Sequence, residues 1–167
     1  SMLSFIATSV SAQNTNERDH LRMGNRLYND SLYAKAEVEY RKAIEKNPQY
    51  AQAHYNLGNT LVMQGKPKEA MQAYEDAVKY EKNKSRLSQN YHNMGVILQS
   101  QKQFAPAIDC YKNALRNNPS DHQTRYNLAL CQHQLKNQPQ DNKQDNKDQN
   151  QDKQEEKQQE QQEQQQQ

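Results

Sequence analysis

The side chains with the most chemical reach in this sequence are five histidines and two cysteines. Imidazole nitrogens and thiolates bind zinc, or act as nucleophile and base, when the chain gathers them at set spacings. Here no such set forms. His92, His122 and His133 fall in separate helices or turns, and none pairs with a Cys or another His at ligand spacing. His20 and His54 hold matching places in successive copies of a repeat. Cys110 and Cys131 are too few for a disulfide framework. They fall in consecutive helices expected to pack together, where a small buried thiol is common; pairing them would require an oxidising compartment. There is no nucleophile elbow, no phosphate-cradling glycine loop and no convergent pair of carboxylates. The chain therefore reads as a non-enzyme, with no catalytic residue, metal, cofactor or small-molecule substrate expected.

What remains is recognition, and that depends on the elements that present side chains. Ala51 to Lys84 reads as two amphipathic helices joined by a tight turn. His54, Leu57, Gly58 and Leu61 recur three or four apart and so share one helical face. Gly65, Lys66 and Pro67 then break the pattern: glycine accepts a left-handed helix end, and proline suits the first turn of the next helix. A second face follows at Ala70, Tyr74 and Ala77.

Neither face can be buried by one such pair, and neighbours are visible. Gly24, Gly58 and Gly95 lie 34 and 37 residues apart in the strings RMGNRL, NLGNTL and NMGVIL. After each glycine comes an alanine twelve residues on (Ala36, Ala70, Ala107), a tyrosine sixteen on (Tyr40, Tyr74, Tyr111) and an alanine nineteen on (Ala43, Ala77, Ala114). Pro48 and Pro119 close the first and third units. This pattern resembles the tetratricopeptide repeat (TPR) over residues 17 to 136. His20, His54 and Tyr91 stand where the family usually has tryptophan, which implies that the two histidines are packed structural residues. Lys82 replaces the closing proline of unit two, followed by a three-residue insertion around Asn83 to Arg86 that should lengthen the turn or the preceding helix.

The resemblance implies an all-α right-handed solenoid of three repeats, at about 17–50, 51–87 and 88–121, with a capping helix over 122–136. The first unit should run from Glu17 to Asp30 with Met23, Gly24 and Leu27 inward, then from Tyr33 to Lys46. Unit three should begin near Leu87. The capping helix, with Ser120 or Asp121 at its start, should turn Gln132, Gln134 and Lys136 to solvent.

The family's first helices line a concave groove that takes a peptide or partner helix. Carried onto this chain, the groove positions are Arg18, Leu21, Asn25, Tyr28 and Asn29 in unit one, and Gln52, Tyr55, Asn59, Val62 and Met63 in unit two. Unit three supplies Gln89, His92, Val96, Gln99 and Ser100, and the capping helix Gln123, Tyr126, Leu130 and His133. Asn25 and Asn59 stand out, since an amide can pair with both the N–H and the C=O of a bound backbone. Tyr28, Tyr55 and Tyr126 add apolar area with a polar tip. Chaperone-binding members of the family hold a terminal carboxylate with cations at positions that are Leu21, Gln89 and Asn93 here, so a charge-assisted clamp of that kind is not expected.

Composition divides the chain again. Mean hydropathy is −1.39, yet residues 137–167 contain no apolar side chain except Pro139, so the low value is concentrated there. That tail holds eight acids and four lysines, a net of −4 against an overall +2, which leaves +6 on residues 1–136. It cannot bury enough apolar area to fold by itself, although from Lys153 its Glu, Gln and Lys favour transient helix. No Lys/Arg stripe interleaved with aromatics points to nucleic acid. Leu3 to Val10, with Val10 and Ala12 as small residues before Gln13, resembles the back half of a secretory signal within a 1–15 extension, implying a periplasmic or exported protein in a Gram-negative envelope. An amphipathic extension docked on the first repeat, in a cytoplasmic protein, is the other reading. The layout is similar to the TPR proteins of Bacteroides aerotolerance (Bat) operons, which implies membrane-bound von Willebrand A-domain partners. A periplasmic assembly or secretion accessory, or a self-associating structural protein (a homo-oligomer), would use the same architecture.

Overall fold

The computed structural model describes residues 16–139. The signal-like segment and extension read at 1–15, and the tail from Gln140 onward, lie outside the described residues. Seven helices are present among the described residues: α1 (Glu17–Asn29), α2 (Tyr33–Lys46), α3 (Ala51–Met63), α4 (Pro67–Tyr80), α5 (Lys84–Ser100), α6 (Phe104–Asn117) and α7 (His122–Lys136). Each packs on the next in sequence, and α1 also touches α3, so the first helices of the pairs lie side by side. The fold is the expected all-α TPR solenoid, with α7 as its cap.

Local chemistry sets the boundaries. Asn16 opens α1 with a capping box: its side chain accepts from the N–H groups of Arg18 and Asp19, and the Asp19 carboxylate accepts from the Asn16 N–H. Asn83 and Asp121 accept from the backbone N–H of Arg86 and Thr124 at the starts of α5 and α7. Pro67 occupies the first position of α4. Within each pair the turn has one left-handed residue seven places after the repeat glycine: Ser31 (φ 59°), Gly65 (φ 70°) and Lys102 (φ 59°). That residue lets the chain bond back across the helix end, Lys66 N–H to Leu61 C=O at 2.9 Å and Gln103 N–H to Leu98 C=O at 2.9 Å. Two of the three turns accept this conformation without glycine.

The core repeats with the sequence. Tyr40, Tyr74 and Tyr111 are fully buried, beside Ala36, Ala70 and Ala107. Each ring lies against the repeat glycine so closely that a Cβ at Gly24, Gly58 or Gly95 would stand 2.5, 2.6 or 2.6 Å from its edge. That is well inside van der Waals contact, so only glycine permits this helix approach. His54 is buried as expected, its Nε2 2.7 Å from the Pro48 carbonyl; His20 is half-buried, its Nδ1 2.7 Å from Glu39.

Four expectations are corrected. Met23 is 42% exposed rather than inward: among the described residues no helix precedes α1 to cover that side. The insertion lengthens neither the turn nor the preceding helix: α4 keeps 14 residues, and α5 has 17 where α3 has 13. The joint itself shrinks from four residues (47–50) to three (81–83), and α5 begins at Lys84 rather than near Leu87. Gln134, expected to face outward, turns back to accept from Gln99 Nε2 at 2.6 Å. Cys110 and Cys131 are both free thiols; Cys110 packs against the main core, and Cys131 belongs to a second cluster with Phe104 and Tyr111.

Candidate functional site

The concave face is built from α1, α3, α5 and α7, and its floor is a hydrogen-bonded ladder. In unit one, Asn25 Oδ1 accepts from the Tyr40 hydroxyl at 2.8 Å and from Asn56 Nδ2, on the next unit, at 2.8 Å. Unit two repeats the arrangement: Asn59 Oδ1 accepts from Tyr74 Oη at 2.7 Å and from Asn93 Nδ2 at 3.1 Å. Each rung therefore ties a buried tyrosine to a groove amide and that amide to the following repeat. With both acceptor sites of Oδ1 occupied, the Asn25 and Asn59 side chains are held in one rotamer, and their remaining chemistry is the Nδ2 donor pair.

Unit three breaks the ladder. The residue after Gly95 is Val96, which offers no amide, and the Tyr111 hydroxyl donates instead to Gln99 Oε1 at 2.6 Å. Burial holds the Tyr40 and Tyr111 hydroxyls neutral, with pKa values pushed up to about 12 in each, and raises that of Tyr74 as well.

Two adjoining concavities lie over this floor. One, of about 340 Å³, is lined by Asn25, Tyr28, Asn29, Tyr40, Gln52, Asn56 and Asn59. The other, of about 200 Å³, is lined by Tyr28, Asn59, Val62, Met63, Tyr74, Asn93, Val96 and Ile97. They share Tyr28 and Asn59. The first is walled by amides; the second adds the exposed apolar side chains of Val62, Met63 and Val96. Two further exposed apolar residues, Tyr126 and Leu130, stand on α7. The groove thus runs from an amide-rich end at α1 to an apolar end at α7.

These cavities bring together Asn25, Tyr28, Asn29, Gln52, Asn59, Val62, Met63 and Val96 from the sequence reading. Tyr55 packs on the Tyr74 ring, centroids 5.9 Å apart, at the margin of this set. Gln89 is exposed and does not join it. Gln99 is committed to Tyr111 and Gln134. His92 is occupied too: its Nδ1 lies 2.6 Å from Thr124 Oγ1, and Thr124 donates to Asp121 Oδ2 at 2.7 Å, so the imidazole fastens α7 to α5. Burial there lowers the His92 pKa, opposed by nearby Asp121. Asn56 and Asn93 are the site residues that sequence reasoning missed. Their signal was present: an asparagine stands two places before the repeat glycine in both strings, NLG and NMG.

A separate depression of about 460 Å³ lies between α2 and α4, where Ile44, Leu57, Leu61 and Ala73 form a floor rimmed by Arg41, Glu45, Glu69 and Asp76. Among the described residues, no three His, Cys, Asp or Glu side chains are placed to hold a metal ion.

Comparison with known proteins fits this geometry. Two family models, each described as tetratricopeptide repeat, match residues 21–85 and 89–121, together more than half of the chain. Among curated proteins, the Photosystem I assembly protein Ycf3 of Synechococcus sp. (strain CC9605) is 31% identical over 87 residues, covering 52% of this chain and 50% of that protein. An uncharacterized TPR repeat-containing protein of Arabidopsis thaliana is 28% identical over 100 residues, which span 57% of this chain and only 12% of the relative. The chain thus matches half or less of these relatives' lengths. Among solved structures, MamA superposes with a TM-score of 0.66 at 20% identity, covering 72% of this chain and 68% of that one. The first TPR of Spaghetti (RPAP3), bound to the HSP90 peptide SRMEEVD, does so with a TM-score of 0.66 at 18% identity over 72% and 93%. Repeat glycines seated on buried tyrosines, helix pairs stacked in series and both family models agree: this chain belongs to the tetratricopeptide-repeat family.

Proposed function

We propose that the chain is a non-catalytic scaffold that holds an extended segment of a partner protein across α1, α3 and α5. The observation that carries this reading is the ladder, which fixes Asn25 and Asn59 with their acceptors satisfied and their Nδ2 donors available to the carbonyls of a bound backbone. Orientation fixed before binding reduces the entropy lost on association. Exposed Val62, Met63 and Val96 beside these donors supply apolar area for alternate side chains of the ligand.

The groove also constrains the ligand's charge. Leu21, Gln89 and Asn93 occupy the places where cations would grip a terminal carboxylate, so an internal, uncharged stretch fits better than an acidic C-terminus. Resemblance of layout supports a cell-envelope setting, with a membrane-bound von Willebrand A-domain protein as the partner.

The test is capture of candidate partners by purified chain and two variants. Asn59→Ala removes a donor and a rung. Val62→Lys puts a charge on an exposed groove position and leaves the core alone. Each is expected to weaken capture about tenfold, which corresponds to ~1.4 kcal/mol. Undiminished capture by both variants, with melting curves showing folded protein, overturns the groove assignment.

A further inference from the structure

The joint between units two and three carries a feature that the fold does not need. Relative to α3, α5 is longer by one turn at its start, and that turn reads Lys84, Ser85, Arg86, Leu87. Two cations therefore sit in a first helical turn that has no acid, although the helix dipole favours negative charge there. Lys79 and Lys82 are exposed just before them. Arg116 comes from α6, whose end is beside α5 through the Ser88 hydroxyl bond to the Ala114 carbonyl at 2.9 Å. The one carboxylate in this stretch, Glu81, is already used: it accepts from Arg86 Nε at 2.8 Å and from the N–H groups of Lys82 and Asn83, and its side chain is only 7% exposed. Among the described residues, Lys79, Lys82 and Lys84 have no ion-pair partner. A local rule broken in an inserted turn, answered at Arg86 by Glu81 but not at Lys84, points to function rather than to packing.

We infer that this basic edge is a docking surface for the chain's own acidic segment, residues 141–163, folded back within the same molecule. That segment carries all eight tail acids, at 141, 145, 148, 152, 155, 156, 160 and 163. Steps of mostly three and four place them on one face at a helical period, with the four lysines off it. The two surfaces are complementary in sign, and the tail's lack of apolar side chains excludes it from the Val62, Met63 and Val96 end of the groove.

Reach decides that the contact is made within one molecule. The end of α7 and the start of α5 are separated by roughly one helix length and one helix row, on the order of 25 Å. Nine residues, from Lys136 to Asp145, span up to ~30 Å. Asp145 meets the basic edge only with this tether near full extension, and the acids beyond it reach the edge with slack, at the millimolar effective concentration of a short tether.

The experiment is zero-length carbodiimide cross-linking of the full chain, with the joined peptides identified by mass spectrometry. Lys82 and Lys84 should link to tail carboxylates at least five times more often than Lys35 and Lys68, which are exposed too but lie at the starts of α2 and α4. The links should run in the monomer band and fall several-fold at 0.5 M salt, as expected for exposed charges. A full chain with Asp145, Asp148 and Asp152 changed to Asn should lose most of them. Links confined to a dimer band overturn docking within one molecule. Links spread evenly over all lysines, or unchanged by salt, overturn the site itself.

Discussion

Units two and three bury the same ring under the same glycine and then treat its hydroxyl differently. Tyr74 feeds an asparagine rung that continues into the next repeat, whereas Tyr111 ends on Gln99 with Val96 in the rung's place. The ring is architecture; its phenolic oxygen is part of the surface. One residue type thus serves two ends that can vary independently, which is how a solenoid keeps its stacking while its groove changes from amide-lined to apolar.

The comparison can be broken at the ring first. Truncating Tyr74 or Tyr111 to Ala should cost about 3–5 kcal/mol in either unit, as expected for a fully buried aromatic. Denaturant unfolding measures it, and a gap of more than about 1.5 kcal/mol between the two would show that the units are not equivalent in packing. Alkaline unfolding sharpens the same point. Tyrosines in the unfolded chain release their protons near pH 10, while Tyr40 and Tyr111 hold theirs to about 12 when folded. Their contribution to stability is complete below pH 10 and is lost as pH rises from 10 towards 12. The phenolate absorbance contributed by these buried rings should therefore appear together with loss of helix, not before it.

Removing only the hydroxyl separates the units. Tyr74→Phe leaves Asn59 and Asn93 short of a partner and should cost about 1–2 kcal/mol; Tyr111→Phe releases Gln99, with Asn127 the hydroxyl's other polar neighbour, and should cost about 0.5–1. Equal values would argue against a cooperative ladder. A fourth test concerns the cap. Because burial lowers the His92 pKa, its contribution is present above about pH 6.5 and disappears as pH falls through the folded value. Cap docking, followed by hydrogen exchange in α7, should loosen as pH falls below the ordinary histidine range, and His92→Gln should flatten that dependence. The smallest effect is at the turns: Gly65→Ala should cost about 1 kcal/mol, since nothing lies within 4 Å of its Cβ position and only the left-handed backbone resists.

Much of this was legible in the sequence. Glycine, alanine and tyrosine at fixed offsets disclosed the stacking because each fills a position where size is tightly constrained. Asn25 and Asn59 were found through the family's groove positions, but Asn56 and Asn93 were not, since their role depends on a partner in another repeat and no single helix pattern displays it. Met23 was misread because its spacing is that of an inward residue. A periodic pattern records which way a side chain points and not whether a neighbour is there to cover it. His92 was taken for a groove residue for a similar reason: its tie to Thr124 crosses between helices that periodicity treats separately.

The joint before α5 has a consequence for how this chain can change length. Four residues were added to the helix and one was removed from the linker, and four is close to one 3.6-residue turn. The chain therefore enters α5 above nearly the same face as it enters α3, and Gly95 still meets Tyr111. Variation in length at this point is quantised: an added turn moves the entry along the helix axis, while one or two residues would swing the entry around the axis, away from the end of α4.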